Sequence, residues 1–156
     1  MRRTRGAART RGNLKEHWVQ EERMAEHMHL AACGAHMEGL PLNGQLTERG
    51  GRLVRTASTA PLYRLFELSG AGPRRPGLVR VREGGASIAL EVWMLPVATV
   101  GSLLALIPPP LGLGTLALAD GESCKGFLCE WSATLEAKDI TEHGGWRAYL
   151  TSLGEI

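Results

Sequence analysis

His27, His29, Cys33 and His36 fall within one short stretch of the chain, and each side chain can carry protons, bind metal or attack a carbonyl near neutral pH. His27 and His29, at i and i+2, project from one face of a strand, which is the geometry of a metal pair. No carboxylate or cysteine stands at matching spacing to complete a ligand set, so no metal is expected. Cys33 and His36 have the types of a nucleophile and its base. Cys33, however, closes the apolar run Leu30-Ala31-Ala32-Cys33, where burial favours an inert thiol. That leaves the segment Gly34-Ala35-His36. Gly34 lets the backbone turn sharply after a strand and leaves N–H groups open to an anion, and His36 stands beside them as a proton carrier. A histidine on a polar loop would have the same local sequence, so both readings stay open at this level.

Other catalytic patterns are excluded. Gly112-Leu113-Gly114-Thr115-Leu116-Ala117 matches the dinucleotide fingerprint formally, but it follows three prolines and precedes a hairpin, where the fingerprint requires a strand and then a helix. The chain contains no phosphate loop, no G-x-S-x-G elbow and no H-E-x-x-H. Its three cysteines, Cys33, Cys124 and Cys129, are odd in number and fit no C-x-x-C spacing. Neither a disulfide framework nor a zinc site follows, and a reducing cytoplasm is the expected location.

The elements that must position these groups are short. Ala25 to Cys33 is expected as a buried strand that opens into the Gly34 loop, and Tyr63 to Leu68 as a second strand. Leu78 to Arg82 and Ile88 to Met94 flank Glu83-Gly84-Gly85-Ala86 and are expected to form a hairpin, with Ile88, Leu90 and Val92 on one face. Pro96 opens a helix that runs to Ile107, where Pro108-Pro109-Pro110 stops it. Being apolar nearly all round, that helix is expected to be packed on more than one side. Asp120-Gly121 joins Thr115–Ala119 to Glu122–Trp131 in a hairpin, with Lys125, Phe127 and Cys129 on one face. After Gly144-Gly145 a last helix presents Trp146, Tyr149, Leu150 and Leu153 as one stripe. The expected class is α+β.

A chain of 156 residues is one domain's length. Its net charge of +2 is unevenly spread: residues 1 to 15 hold six basic side chains and no acid, which leaves 12 basic against 16 acidic, or −4, for the rest. Residues 1–23 are expected to be a basic disordered tail and residues 24–156 the domain. A nucleic-acid arm or a transit peptide would share this composition, as would a linker remnant. With no aromatic among residues 1 to 15 to stack on a base, no nucleic-acid partner is expected. No apolar segment follows the charges to make a secretory signal. Val92 to Ala119 lacks charge, yet its prolines and glycines divide it into pieces shorter than the roughly 20 residues a membrane helix needs.

The run from Gly34 to Leu46, Gly-Ala-His-Met-Glu-Gly-Leu-Pro-Leu-Asn-Gly-Gln-Leu, resembles the G-A-H-L-x-G-x-P-L-N-x-Q-L segment that opens the carboxy-terminal domain of allophanate hydrolases. Pro61–Leu65, Arg75-Pro76-Gly77-Leu78-Val79-Arg80, Glu91-Val92-Trp93, Ile107–Thr115, Leu118–Gly121, Lys125–Glu130, Asp139–Thr141 and Gly144–Leu150 continue the likeness in order. The resemblance implies a γ-glutamyl cyclotransferase-like fold, a small mixed β-barrel with flanking helices. It also implies a role in urea breakdown. In that family an amidase domain hydrolyses allophanate, and this domain is held to decarboxylate the N-carboxylated product, with the histidine at the position of His36 as the catalytic residue and no cofactor. Gly34, Ala35, Met37, Asn43, Tyr63, Pro110, Leu111 and Lys125 are the expected substrate-binding set, His36 the expected proton donor. No stretch resembles the amidase domain, so the expectation is a free-standing domain working beside a separately encoded amidase. A non-catalytic module docked on that amidase is the alternative, and γ-glutamyl cyclotransferase-like activity a further one.

Overall fold

A computed structural model describes residues 15–16 and 26–156. Most of the basic segment expected over residues 1–23 therefore lies outside the described residues.

The apolar run ending at Cys33 forms the centre of the protein. β1 (His27–Ala32) lies between β5 (Ala89–Pro96), to which it is antiparallel, and β7 (Ser123–Cys129), to which it is parallel. With β2 (Arg52–Ser58) beyond β5 and β6 (Leu111–Ala117) beyond β7, the order is β2-β5-β1-β7-β6. A central strand is covered on both faces, which is why Leu30, Ala31 and Ala32 are each 1% exposed or less. Close approach of β1 and β7 needs Gly126, since a Cβ there would stand 2.8 Å from the Ala31 carbonyl oxygen. The β6–β7 hairpin turns at Asp120-Gly121 as expected, with Gly121 at φ +88°.

A second sheet, ordered β4-β3-β8, is built from β3 (Tyr63–Glu67), β4 (Pro76–Arg80) and β8 (Lys138–Asp139). It packs on β7 through Gly77, where a Cβ would meet the Cys129 sulfur at 2.8 Å. Three helices complete the described fold: α1 (Gly44–Thr47), α2 (Val97–Leu104) and α3 (Trp146–Ser152). Two 3-10 turns, at Trp131–Thr134 and Thr141–His143, flank β8.

This is the expected small mixed α+β fold, with several corrections. The two sheets do not close into a barrel. β4 and β5 are not a hairpin: β4 pairs with β3 and β5 pairs with β1 and β2, so the Glu83–Ala86 turn carries the chain from one sheet to the other. Ala86 bridges Tyr63 instead. β2 was not anticipated, because it is an edge strand exposed over most of its length and shows no clean alternation. α2 is shorter than expected and not covered all round by the described residues, with Leu103 buried while Val97 and Leu104 are 45% and 51% exposed. In α3, Trp146, Tyr149 and Leu150 are buried as the stripe requires, but Leu153 is not. Gly112 and Gly114 lie within β6, which is followed directly by β7 and not by a helix. No helix among the described residues is long and apolar enough to cross a membrane.

Candidate functional site

β1 delivers the chain to Cys33 and then to Gly34, which touches the ring of Pro76 at the start of β4. A Cβ at Gly34 would stand 2.6 Å from Pro76 Cδ. From here the backbone folds through successive tight turns. Met37 N–H donates to the Gly34 carbonyl at 3.0 Å, Leu42 N–H to that of Ala35 at 2.9 Å, and Gln45 N–H to that of Leu42 at 3.0 Å. These turns fold the segment back on itself, so that the Gln45 side chain reaches His36. The imidazole Nε2 lies 2.8 Å from Gln45 Oε1. Its ring stacks on Phe127 with centroids 4.3 Å apart and planes 14° from parallel. Behind the loop, Asn43 Nδ2 donates to the His36 carbonyl at 2.9 Å. His36 is 8% exposed.

Burial holds the His36 imidazole below its ordinary pKa of 6.5, and the hydrogen bond to Gln45 offsets part of that shift. The ring is therefore neutral at neutral pH. Because a carbonyl oxygen only accepts, Nε2 carries the hydrogen and Nδ1 the lone pair. The Cys33 thiol is pushed up to about 12 by burial, so the nearby sulfur is the inert group its apolar run implied.

His36 borders a cavity of about 20 Å³, also lined by Cys33, Gly34, Ala35, Leu42, Arg75, Pro76, Leu78, Leu111 and Phe127. That narrow, partly open volume suits about one ordered water molecule. Among its lining residues, the N–H groups of Ala35 and His36 show no hydrogen-bond acceptor among the described residues, and the Arg75 guanidinium shows no ion pair there, though its charge acts on the Cys129 thiol. Ala35 is 3% exposed, and a buried N–H without a protein acceptor is uncommon enough to mark a place for an anion or water.

Of the residues expected at the site, Gly34, Ala35, His36 and Leu111 line this cavity, and Asn43 braces it from behind. Met37 faces a separate groove of about 480 Å³ beside Glu91, Trp146 and Arg147. Tyr63 is fully buried elsewhere, its hydroxyl oxygen accepting from Ala117 N–H at 2.8 Å. Pro110 lines a third depression with Leu68 and Ser132. Lys125 is two residues from Phe127 on the same face of β7, exposed, with its ammonium donating to Thr115 Oγ1 at 2.7 Å. Sequence reasoning did not single out Gln45 or Arg75. Gln45 follows His36 by nine positions within one motif, whereas Arg75 enters only because β4 returns to β7.

Among the described residues no group of three or more histidine, cysteine or acidic side chains could hold a metal ion. A different cluster is structural. Glu91, 5% exposed, accepts from Glu38 N–H at 2.8 Å, Trp93 Nε1 at 3.0 Å and Arg147 at 2.9 Å, tying α3 and the Gly34 loop to β5.

The family model for the allophanate hydrolase C-terminal domain matches residues 28–151. Urea amidolyase of Saccharomyces cerevisiae is 43% identical over 80% of this chain, which spans 7% of that relative's length. The structure of Kluyveromyces lactis allophanate hydrolase superposes with a TM-score of 0.78 at 37% identity, over 81% of this chain and 21% of that one. A uropathogenic E. coli-specific protein, c4763, is similar over 80% of this chain and 96% of its own length, at TM-score 0.76 and 39% identity. The chain thus corresponds to a small part of the two fungal relatives and to nearly all of the bacterial one, and it belongs to the allophanate hydrolase C-terminal domain family.

Proposed function

We propose that this domain decarboxylates the N-carboxylated product an amidase releases from allophanate, with His36 as the proton carrier. The observation that carries the reading is the grouping of an anion-seeking set, Arg75 and the Ala35 and His36 N–H groups, around one neutral imidazole. The product is a small dianion with two carboxylates on one nitrogen. One carboxylate lies against the loop N–H groups and the other against Arg75, both of which belong to residues lining the cavity.

Such a dianion beside His36 favours the imidazolium, opposing the effect of burial, so Nδ1 gains a proton as the ligand binds. Loss of carbon dioxide then breaks the C–N bond and leaves its electron pair on nitrogen. The Nδ1 proton moves to that nitrogen, neutral His36 returns, and carbamate and carbon dioxide leave. The apolar wall of Leu111, Leu78 and Phe127 disfavours the solvated dianion relative to the less charged products.

The test couples an amidase that cleaves allophanate to this protein and follows carbon dioxide and ammonia. Release is expected to accelerate with the wild-type chain and to return to the spontaneous rate with His36→Ala. Equal rates for the two proteins would overturn the assignment.

One observation favours the docking alternative as an added role: Val97, Leu104 and Leu106, on and just after α2, are 45%, 51% and 48% exposed. An amidase held there would release its product near this domain. Co-purification with the amidase that survives His36→Ala and is lost with Leu104→Asp supports docking; no co-purification removes it.

A further inference from the structure

We infer that Gln45 is a positioning residue that fixes which nitrogen of His36 exchanges protons with ligand, holding Nε2–H in a hydrogen bond so that Nδ1 alone faces the chemistry. The inference rests on the decarboxylation reading for its catalytic consequence, while its structural content stands alone.

Four observations converge on it. The Nε2 to Oε1 distance of 2.8 Å is that of a well-formed hydrogen bond. The Phe127 stack, at 4.3 Å and 14°, prevents the imidazole from tilting away, so the ring has one orientation to offer. Asn43 anchors the His36 backbone, and Arg49 Nη1 anchors the Gln45 backbone by donating to its carbonyl at 2.9 Å, so neither partner can drift along the loop. Finally, the bond is neutral. A carboxylate in place of Gln45 would stabilise imidazolium and leave His36 charged before any ligand arrived. An amide fixes the tautomer without supplying charge, so near neutral pH the ring stays neutral until an anion enters the cavity.

This arrangement makes proton uptake part of ligand binding. In a histidine–carboxylate pair the proton is already present, and an arriving dianion finds a cation screened by a permanent anion. Here the dianion itself supplies the field that loads the proton, and its decarboxylation removes that field. Gln45 therefore helps the site return to neutral after each cycle.

The experiment uses nitrogen-15 NMR of the histidine-labelled full chain, titrated with and without malonate. Malonate carries two carboxylates on one carbon as the proposed substrate carries them on one nitrogen, and it does not react. The wild-type chain is expected to show the Nε2–H tautomer, with malonate raising the pH at which His36 charges. Gln45→Glu should raise that pH by more than about one unit without ligand. Gln45→Met should give a mixture of tautomers and lower kcat by at least about tenfold with KM changed less than about twofold. An Nδ1–H tautomer in the wild-type chain, or a Gln45→Glu titration equal to wild type, would overturn the inference. If the tautomer and titrations are as expected but His36→Ala releases carbon dioxide as fast as wild type, the positioning role holds and the decarboxylation reading fails.

Discussion

Gly34 and Pro76 pack with no room between them for even one methyl group: a Cβ at Gly34 would lie 2.6 and 2.7 Å from Pro76 Cδ and Cγ. This contact joins the His36 loop to the first residue of β4, and so joins the two sheets at the cavity. A proline ring cannot rotate aside as a long side chain would. Gly34→Ala should therefore displace the start of β4, at about 1–3 kcal/mol of stability, and lower the melting temperature by several degrees. It should also disturb the cavity that both residues line. Thermal denaturation checks it; a variant as stable as wild type would mean that β4 yields freely.

The His36 loop was legible in the sequence because its chemistry is local: strand exit, glycine and histidine are consecutive. The β6–β7 hairpin was legible for the same reason, since Asp120-Gly121 specifies both the turn and the partner strands. The Glu83–Ala86 turn was not, because turn residues state that the chain reverses and not which strand it rejoins. β4 pairs with β3 and packs against β7, which brings Arg75 to the cavity about 40 positions from His36 in sequence, a contact no spacing rule encodes. For α2 the composition was read correctly and the conclusion was wrong: an apolar helix needs neighbours all round to be buried, and here Leu103 is buried while Val97 and Leu104 are exposed.

Glu91 and Arg147 illustrate how exposure decides the worth of an ion pair. Glu91→Ala removes the acceptor of the Trp93 indole N–H and the Glu38 N–H as well as the partner of Arg147. The Trp93 indole N–H is buried, and leaving it unsatisfied costs about 1–3 kcal/mol, whereas the partly exposed Glu38 N–H can turn to water at less cost. Arg147 is 42% exposed, so in Arg147→Ala water replaces part of what Glu91 loses, and about 1–2 kcal/mol is expected. Chemical denaturation should rank Glu91→Ala as the more harmful, and the reverse order would show that the guanidinium carries the network.

The depressed His36 pKa has a consequence for stability. In the unfolded chain the imidazole takes up a proton near pH 6.5, whereas burial keeps the native ring neutral to lower pH. Below 6.5 the unfolded state binds more protons, so the contribution of His36 is fully present above that pH and is lost as pH falls toward the native value. His36→Asn lacks this titration. Its stability relative to wild type should rise as pH is lowered from about 7 to about 5, measured by urea unfolding at each pH. Saturating malonate should oppose the loss in the wild-type chain, because the dianion favours the charged ring in the native state. Parallel pH curves for wild type and variant would refute the assignment of a buried, neutral His36.

Arg75 lines the cavity and Lys125 lies two residues from Phe127 on β7, and their surroundings predict different roles. The ammonium of Lys125 is exposed and already donates to Thr115, so transferring it to a carboxylate exchanges one hydrogen bond for another in water, where the net gain is small. Arg75 lines the cavity, is partly shielded, and has a neutral thiol, Cys129, rather than a carboxylate as its electrostatic neighbour among the described residues. A bidentate bond from a guanidinium to a carboxylate in that setting contributes about 1.5–3 kcal/mol. Malonate titrated calorimetrically into Arg75→Met should accordingly bind about 10- to 100-fold more weakly than to wild type, and Lys125→Met should stay within about threefold. If the two losses are exchanged, the anion sits farther along β7, beyond Phe127, with His36 and the Thr115–Lys125 pair sharing it.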